Sequence, residues 1–521
     1  MQALSWVSGK REHKSANAFV SSNPANNRDQ IATFAAATPA QIKSAIQNAK
    51  KAYASWKQVP APTRANMIAN FGQLLIRHKN DLSRVITREM GKPFREAQGD
   101  VQEAIDTCQF FASEGRRLYG MTVPSEMPQK ELSTYRRSLG VFACITAANF
   151  PVAVPSWYFV PALLCGNVCI WKAPEDAPVT SLYFAKLLAA AGCPSDVFQV
   201  LFGGGENSTG QWLVDEVKNG GIDKFGFTGS TEVGCHIGEV CGRHLISACL
   251  ELGGKNPLVV MEDADLDWAV EATLWSGLGT AGQRCTSLGN LILHKKIKKN
   301  FLDKLLKKIS LIKIGDPMHP EVLYGPMISE KFMEGHLSNL ERLIKKHHRV
   351  LTKTQGRISK MNPWPHWVGR RGPQQGYFCH PTLVDEVQPD DEIYSTETFG
   401  PLFNVMTCQN LDEAIDLANG TGYGLSSAIF TQNPLNIYRW KESIGAGMTS
   451  INNSTTGAEA HLPFGGNGRS GNGSRQSGVW VLDQFTRWQA VNWDFSQKLQ
   501  LAQMETPQLT ANLNYQFKMN F

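Results

Sequence analysis

The feature that most restricts the fold of this chain is an alternation between residues 140 and 253. Short β-rich runs, GVFACITAANF, NVCIWK, VFQVLFG and KFGFTG, take turns with segments such as TSLYFAKLLAAAGC and TGQWLVDEV. Strands that alternate with helices form βαβ units, and such units build a parallel sheet. A second series follows, with strand candidates NPLVVM, GNLILH, FCHPTLV, FNVMT, SSAIFT and GMTSIN and helices such as NFLDKLLKKI and LDEAIDLAN between them. Two series predict two α/β domains, and 521 residues are enough for two or three well-buried cores. Ahead of both, AQIKSAIQNAKKAYASW and TRANMIANFGQLLIRHKNDLSRVITREM place apolar residues at three- and four-residue spacing, which predicts helices from about 40 to 120. Residues 353–377 are rich in Pro, Gly and Arg without periodicity and read as a surface insertion, and the last 25 residues read as a polar tail.

Charge narrows the function classes. The net charge of +6, from 52 basic against 46 acidic residues, is spread along the chain, which is too mild for a nucleic-acid partner. The runs KKIKK at 295–299 and KKHHR at 345–349 lack interleaved aromatics and read as solvated faces. No run of 18 apolar residues is present, and MQALSWVSGKREHKS has no apolar core of signal-peptide length. Eleven cysteines, scattered singly from Cys108 to Cys408 without a CxxC pair or metal-ligand spacing, read as reduced thiols. The expectation is a cytoplasmic protein with no metal site, no membrane partner and no nucleic acid.

The segment GLGTAGQRCTS, Gly277–Ser287, carries the chemistry. Gly277, Gly279 and Gly282 match GxGxxG, but a dinucleotide cradle needs a strand before the glycines and a helix after them. Here DADLDWAVEATLWSGLG has Leu266, Val270 and Leu274 on one helical stripe, and SLGNLILH after Cys285 reads as turn and strand. The context is inverted and the fingerprint is rejected. What remains is a cysteine in a Gly-rich loop, whose backbone N–H groups favour the thiolate needed of a nucleophile. Upstream, LELGGKNP sets Glu251 at a strand end before two glycines, where another backbone or a ligand can approach closely.

Together with AANFP (147–151), WKAPE (171–175), FTGSTEVG (227–234), ETFGP (397–401) and PFGG (463–466), these motifs closely resemble the aldehyde dehydrogenase superfamily over about 40 to 495. The resemblance implies NAD(P)-dependent oxidation of an aldehyde to a carboxylate, with Cys285 as nucleophile, Glu251 as general base and Asn149 as side-chain donor to the oxyanion. It implies a variant Rossmann domain at 1–120 and 141–253, a catalytic domain at 254–475, a small bridging segment at 121–140 and 476–496, and a tail at 497–521. For the cofactor it implies Gly229, Ser230 and Gly234 at the cradle, Lys172 and Glu175 at the adenosine ribose, and Glu397 and Phe399 at the nicotinamide end. A carboxylate at the ribose would repel a 2′-phosphate, so NAD is expected over NADP.

EMGKPFREAQGDVQEAIDTCQFF (89–111), NFPVAVPSWYF (149–159), GQRCT (282–286) and TTGAE (455–459) resemble the antiquitin-like subgroup, which acts on α-aminoadipic semialdehyde. That likeness implies Glu103 at a substrate amino group, Arg284 with Gly457 and Ala458 at a carboxylate, and Trp157 along the aldehyde channel. A guanidinium can clamp a carboxylate with two parallel bonds. The chain departs from the subgroup in the 353–377 insertion, the tail and the proline of PFGG. A broader-range or aromatic aldehyde dehydrogenase, transfer of the acyl group to coenzyme A, and a catalytically silent homologue are the alternatives. QFTRWQAVNWDF alternates like an edge strand, and the resemblance implies a homodimer or homotetramer.

Overall fold

The computed structural model describes residues 5–7, 10–12, 17–501 and 509–519. Four helices, Pro39–Trp56, Ala61–Arg77, Lys79–Met90 and Phe94–Glu114, occupy the stretch with helical spacing. The first starts on a capping box. Gln41 N–H donates to Thr38 Oγ1 at 3.3 Å and Thr38 N–H donates to Gln41 Oε1 at 2.8 Å, satisfying donors that a helix start leaves open.

The alternating region forms a five-stranded parallel sheet in the order Ala248–Glu251, Lys224–Thr228, Val141–Ile145, Val168–Lys172, Phe198–Leu201. The winding starts at Val141–Ile145, runs outward to Phe198–Leu201, then returns to the other side of the first strand. Between Val141–Ile145 and Lys224–Thr228 the strand order therefore reverses, and in open α/β sheets ligands bind at the carboxyl edge of such a point. These strands are almost wholly buried, as near-continuous apolar runs require. Trp171 is fully buried, its ring 5.5 Å from both Phe159 and Phe184, and its Nε1 donates to Thr146 Oγ1 at 3.0 Å. The aromatic cluster therefore ties a central strand to helices Ala153–Leu164 and Pro178–Ala190 without leaving the indole donor unpaired.

The second series builds a seven-stranded sheet in the order Arg349–Val350, Thr382–Asp385, Leu402–Cys408, Leu288–His294, Asn256–Val260, Ser426–Phe430, Met448–Ile451, parallel except for its first strand. Thr486–Asp494 lies at the outer edge of a three-stranded antiparallel sheet with Lys130–Ser138 and Thr122–Val123, leaving Trp488 and Trp493 exposed.

The 353–377 stretch is more than a loose surface insertion. Ile358 and Trp364 are buried, Trp364 Nε1 donates to Ile312 O at 2.9 Å, and Trp367–Val368 pairs with Ile314–Gly315. Large apolar side chains at irregular spacing can anchor a segment without showing any period. Of the tail, residues 509–519 carry no helix or strand, while 502–508 and 520–521 lie outside the described residues.

Candidate active site

Both larger sheets direct residues to one cavity of about 1020 Å³. Asn149, Trp157 and Thr228 line it from the first-sheet side, Arg284 and Cys285 from the loop that enters the second sheet, and Glu103 from helix Phe94–Glu114.

The loop that carries Cys285 has the local order read from the sequence. Helix Leu266–Leu278 is capped by Asp265, which accepts from Trp268 N–H at 3.0 Å, and the strand Leu288–His294 follows the cysteine. Between them the backbone turns left-handed at three successive residues, Thr280, Ala281 and Gly282, with φ of 50°, 53° and 70°. A non-glycine residue in that region costs roughly 1–2 kcal/mol, so neighbours must hold it there. Gln283, fully buried, donates from Nε2 to Thr280 O at 3.0 Å and accepts at Oε1 from Ile328 N–H at 2.9 Å. Asn256 Nδ2 donates to Cys285 O at 2.8 Å and to Ser287 O at 2.7 Å. At Gly282 a Cβ would lie 2.1 Å from Gly400 O, so close approach and positive φ both require glycine.

Cys285 is partly exposed. Burial pushes its thiol up to about 12, the charges of Glu397 and Glu251 add to this, and the N–H groups of Thr286 and Cys285 offset part of it. Asn149 is buried and donates one amide N–H to Gln283 O at 3.0 Å, which fixes the amide and leaves its second N–H available. Glu251 ends the strand Ala248–Glu251, with Ser474 Oγ donating to Oε1 at 3.4 Å and Oε2 unpartnered. Burial pushes its carboxyl well above the usual range, against the opposing charge of Arg475. The two glycines after Glu251 answer to two neighbours: a Cβ on Gly253 would lie 2.0 Å from Glu397 Oε2, and one on Gly254 2.6 Å from Cys285 O.

At the carboxyl edge of the first sheet, Lys172 Nζ meets Glu175 Oε2 at 2.8 Å. Burial opposes the ionised form of Glu175, but Lys172 holds its carboxyl below the usual range. Ser230 caps helix Thr231–Arg243, accepting from Val233 N–H at 3.4 Å, and Gly234 lets that helix sit where a Cβ would meet Leu252 at 2.2 Å. Gly229 N–H donates to Glu251 O at 3.1 Å, linking this turn to the strand of the candidate base. A helix N-terminus at the switch point of a parallel sheet suits a pyrophosphate. Glu397 accepts from Gly254 N–H at 3.2 Å, and burial raises its carboxyl to about 7. Phe399, with φ of 41°, packs 5.7 Å from Phe332.

Glu103, Trp157, Arg284, Gly457 and Ala458 all line the same cavity. Trp157 packs 4.7 Å from Phe464. Arg284 departs from the expectation of an open clamp: its guanidinium is paired with Glu96, its Nε donates to Thr280 Oγ1 at 3.2 Å, and it lies 4.4 Å over the Trp275 ring. Glu96, Asp100 and Glu103, spaced i, i+4, i+7, form one stripe on helix Phe94–Glu114. Asp100 is paired with the fully buried Lys92 at 3.1 Å and accepts from Ala153 N–H at 2.7 Å. Glu103 has a buried Oε2 with no partner, and burial together with Asp100 raises its carboxyl to about 8. Two acids of the stripe are matched by cations and the third faces the cavity unmatched.

Glu96, Asn256 and Gln283 are absent from the sequence reading. The spacing that puts Glu96 and Asp100 on the face of Glu103 is visible in REAQGDVQE, and Asn256 stands within LELGGKNP. Apart from the Gln283 bond to Thr280 O, their partners lie far off in the chain and give no local signal.

A parallel sheet with its ligand edge facing a loop-borne thiol, an amide donor and a buried carboxyl defines an enzyme of thiol-based acyl chemistry on a dinucleotide-binding scaffold. Residues 10–491 match the Aldehyde dehydrogenase family, and the chain belongs to it. It is 32% identical to Aldehyde dehydrogenase family 7 member A1 of Malus domestica over 96% of this chain and 94% of that protein. Alpha-aminoadipic semialdehyde dehydrogenase of Bos taurus is 34% identical over 92% of this chain and 86% of that protein. Betaine aldehyde dehydrogenase of Staphylococcus aureus, solved in complex with NAD+, superposes with a TM-score of 0.88 at 27% identity, covering 96% of each chain.

Proposed function

We propose that this aldehyde dehydrogenase oxidises an amino-bearing semialdehyde, of the α-aminoadipic kind, with NAD, and that Cys285, Glu251 and Asn149 carry the reaction. The observation that carries the reading is the meeting of a partly exposed thiol and an amide with a spare N–H at one cavity, with the buried carboxyl of Glu251 close enough for its charge to act on that thiol. The thiolate of Cys285 adds to the aldehyde carbon, and the electron pair of the carbonyl moves to oxygen, where the Asn149 amide and the Cys285 N–H stabilise it. Collapse of that oxyanion expels hydride from carbon and leaves a thioester on Sγ. Glu251 takes a proton from water, the hydroxide adds to the thioester, and the C–S bond breaks to return the thiolate. NAD, when bound, supplies the hydride acceptor. Lys172 and Glu175 would hold its adenosine ribose, Gly229, Ser230 and Gly234 its pyrophosphate, and Glu397 and Phe399 its nicotinamide end. One aldehyde, one NAD+ and one water give one carboxylate, one NADH and two protons.

The unmatched Glu103 supports an ammonium group on the substrate, since a bound cation supplies the missing counter-charge. Trp157 lines the aldehyde's path, and Gly457 and Ala458 offer backbone to a carboxylate end with Arg284. The pairing of Arg284 with Glu96 favours a second reading, a broader-range enzyme for aldehydes without a carboxylate. NADH formation with α-aminoadipic, glutamic and succinic semialdehydes, hexanal and benzaldehyde, each with NAD and NADP, separates the two. A kcat/KM advantage for the α-aminoadipic compound with NAD supports the first reading; a preference for hexanal or benzaldehyde supports the second. Glu251→Gln should give a burst of NADH followed by slow turnover, and absence of the burst with hydride transfer intact would remove Glu251 as the base.

The same reading assigns the cofactor domain to 1–120 and 141–253, the catalytic domain to 254–475 and the bridging segment to 121–140 and 476–496. The exposed tryptophans of the edge strand Thr486–Asp494 support assembly into a homodimer or homotetramer. Eleven unpaired cysteines support a reducing, cytoplasmic setting, and the likeness to alpha-aminoadipic semialdehyde dehydrogenase supports a role in lysine degradation there.

A further inference from the structure

We propose that Glu96 is a positioning residue for the nucleophile, acting through Arg284 and the left-handed segment Thr280–Gly282. Glu96 stands in the first turn of helix Phe94–Glu114, a separate element from the nucleophile loop. Its Oε1 accepts from Thr280 N–H at 3.0 Å, and its Oε2 accepts from both Thr280 Oγ1 and Arg284, the residue before the cysteine. The two side chains of the ion pair are each only 7% exposed, so neither bond is diluted by water.

The loop needs such a hold. Thr280 and Ala281 are left-handed without being glycine, and an isolated loop of this sequence would relax toward right-handed backbone. Only two residues separate Ala281 from Arg284–Cys285, so relaxation at Thr280 and Ala281 would carry the thiol away from Asn149. Gln283 fixes the middle of the segment and Asn256 its far side, while Glu96 is the side chain that bonds Thr280 and Arg284 together. A misplacement of about 1 Å at a reacting atom can cost on the order of 10² in rate.

The proposal builds on Cys285 as nucleophile, and the test separates the two. In Glu96→Gln, kcat and the rate of Cys285 alkylation by iodoacetamide should both fall by about 10- to 100-fold, with aldehyde KM changed by less than about threefold. In a Thr280→Gly/Ala281→Gly background, where left-handed backbone carries no penalty at either position, the same substitution should cost less than about threefold. A rise in KM with kcat unchanged, or an equal loss in both backgrounds, would overturn the positioning role. Turnover surviving in Cys285→Ala would instead overturn the nucleophile assignment and this proposal with it.

Discussion

The two sides of the candidate site are built by different physical means. On the first-sheet side, Lys172, Thr228 and Glu251 are the last residues of parallel strands, and Asn149 follows four residues after the end of another. Their positions follow once the sheet forms, because hydrogen-bonded strands fix the carboxyl edge. On the second-sheet side, Cys285 hangs from a left-handed loop held by Glu96, Gln283 and Asn256, three side chains from three different segments. An edge built by backbone pairing tolerates loss of a single side chain; a strained loop does not. The proposed nucleophile is therefore the more fragile part of this site.

Gly282→Ala should break the loop side most severely. A Cβ there meets Gly400 O at 2.1 Å with φ of 70°, so NADH formation should fall by more than about 100-fold, with lowered thermal stability measured by circular dichroism. Gly192→Ala, at φ of 103° but facing open space, should leave kcat near that of the parent.

Asn256→Ala comes next. It removes two bonds to the part-buried carbonyls of Cys285 and Ser287 and leaves the buried Ser426 N–H without its acceptor, a loss of about 1–3 kcal/mol, or roughly 5- to 150-fold in kcat/KM. The matching test on the edge side is Ser474→Ala, which removes one 3.4 Å contact to Glu251 and should cost less than about fivefold. Equal losses from the two substitutions would erase the contrast between the faces.

The pH dependence sharpens it further. Burial raises the carboxyl of Glu251, and a base works only when ionised, so thioester hydrolysis should climb with pH over a range lying above that of an ordinary carboxylate and fade on its acid side. Single-turnover hydrolysis rates across pH check this, and Glu251→Gln should flatten the climb.

The smallest effect is electrostatic. The charge of Glu397 raises the Cys285 thiol, so Glu397→Gln should increase the thiolate fraction and speed alkylation of Cys285 by a few-fold at fixed pH. Mass mapping is needed for that reading, because Cys235 is exposed and will also react.

Much of the scaffold was legible in the chain. Runs such as NVCIWK and KFGFTG are apolar on both faces because helices cover both sides of a parallel sheet. The inverted setting of GLGTAGQRC was likewise plain, since the stripe of Leu266, Val270 and Leu274 marks a helix before the glycines. The order of strands was not, because each strand carries the same apolar signal and nothing local names its neighbour. Arg284 shows the same limit at a single residue. The antiquitin-like resemblance implied for it a place at a substrate carboxylate, and its engagement by Glu96, 188 positions away in the chain, was beyond any local pattern.

By itself the sequence determined the βαβ alternation, the family motifs in which Cys285, Glu251 and Asn149 stand and the glycines that close approach demands. Periodicity, turn chemistry and residue type act over a few neighbouring positions and can be read there. Only the tertiary structure decided the reversal of strand order that opens the cleft, the left-handed turn before the nucleophile and the charge balance of the Glu96, Asp100 and Glu103 stripe. Those depend on which distant groups are brought together, and burial then gives each unmatched charge or strained dihedral an energy that the local chain does not encode.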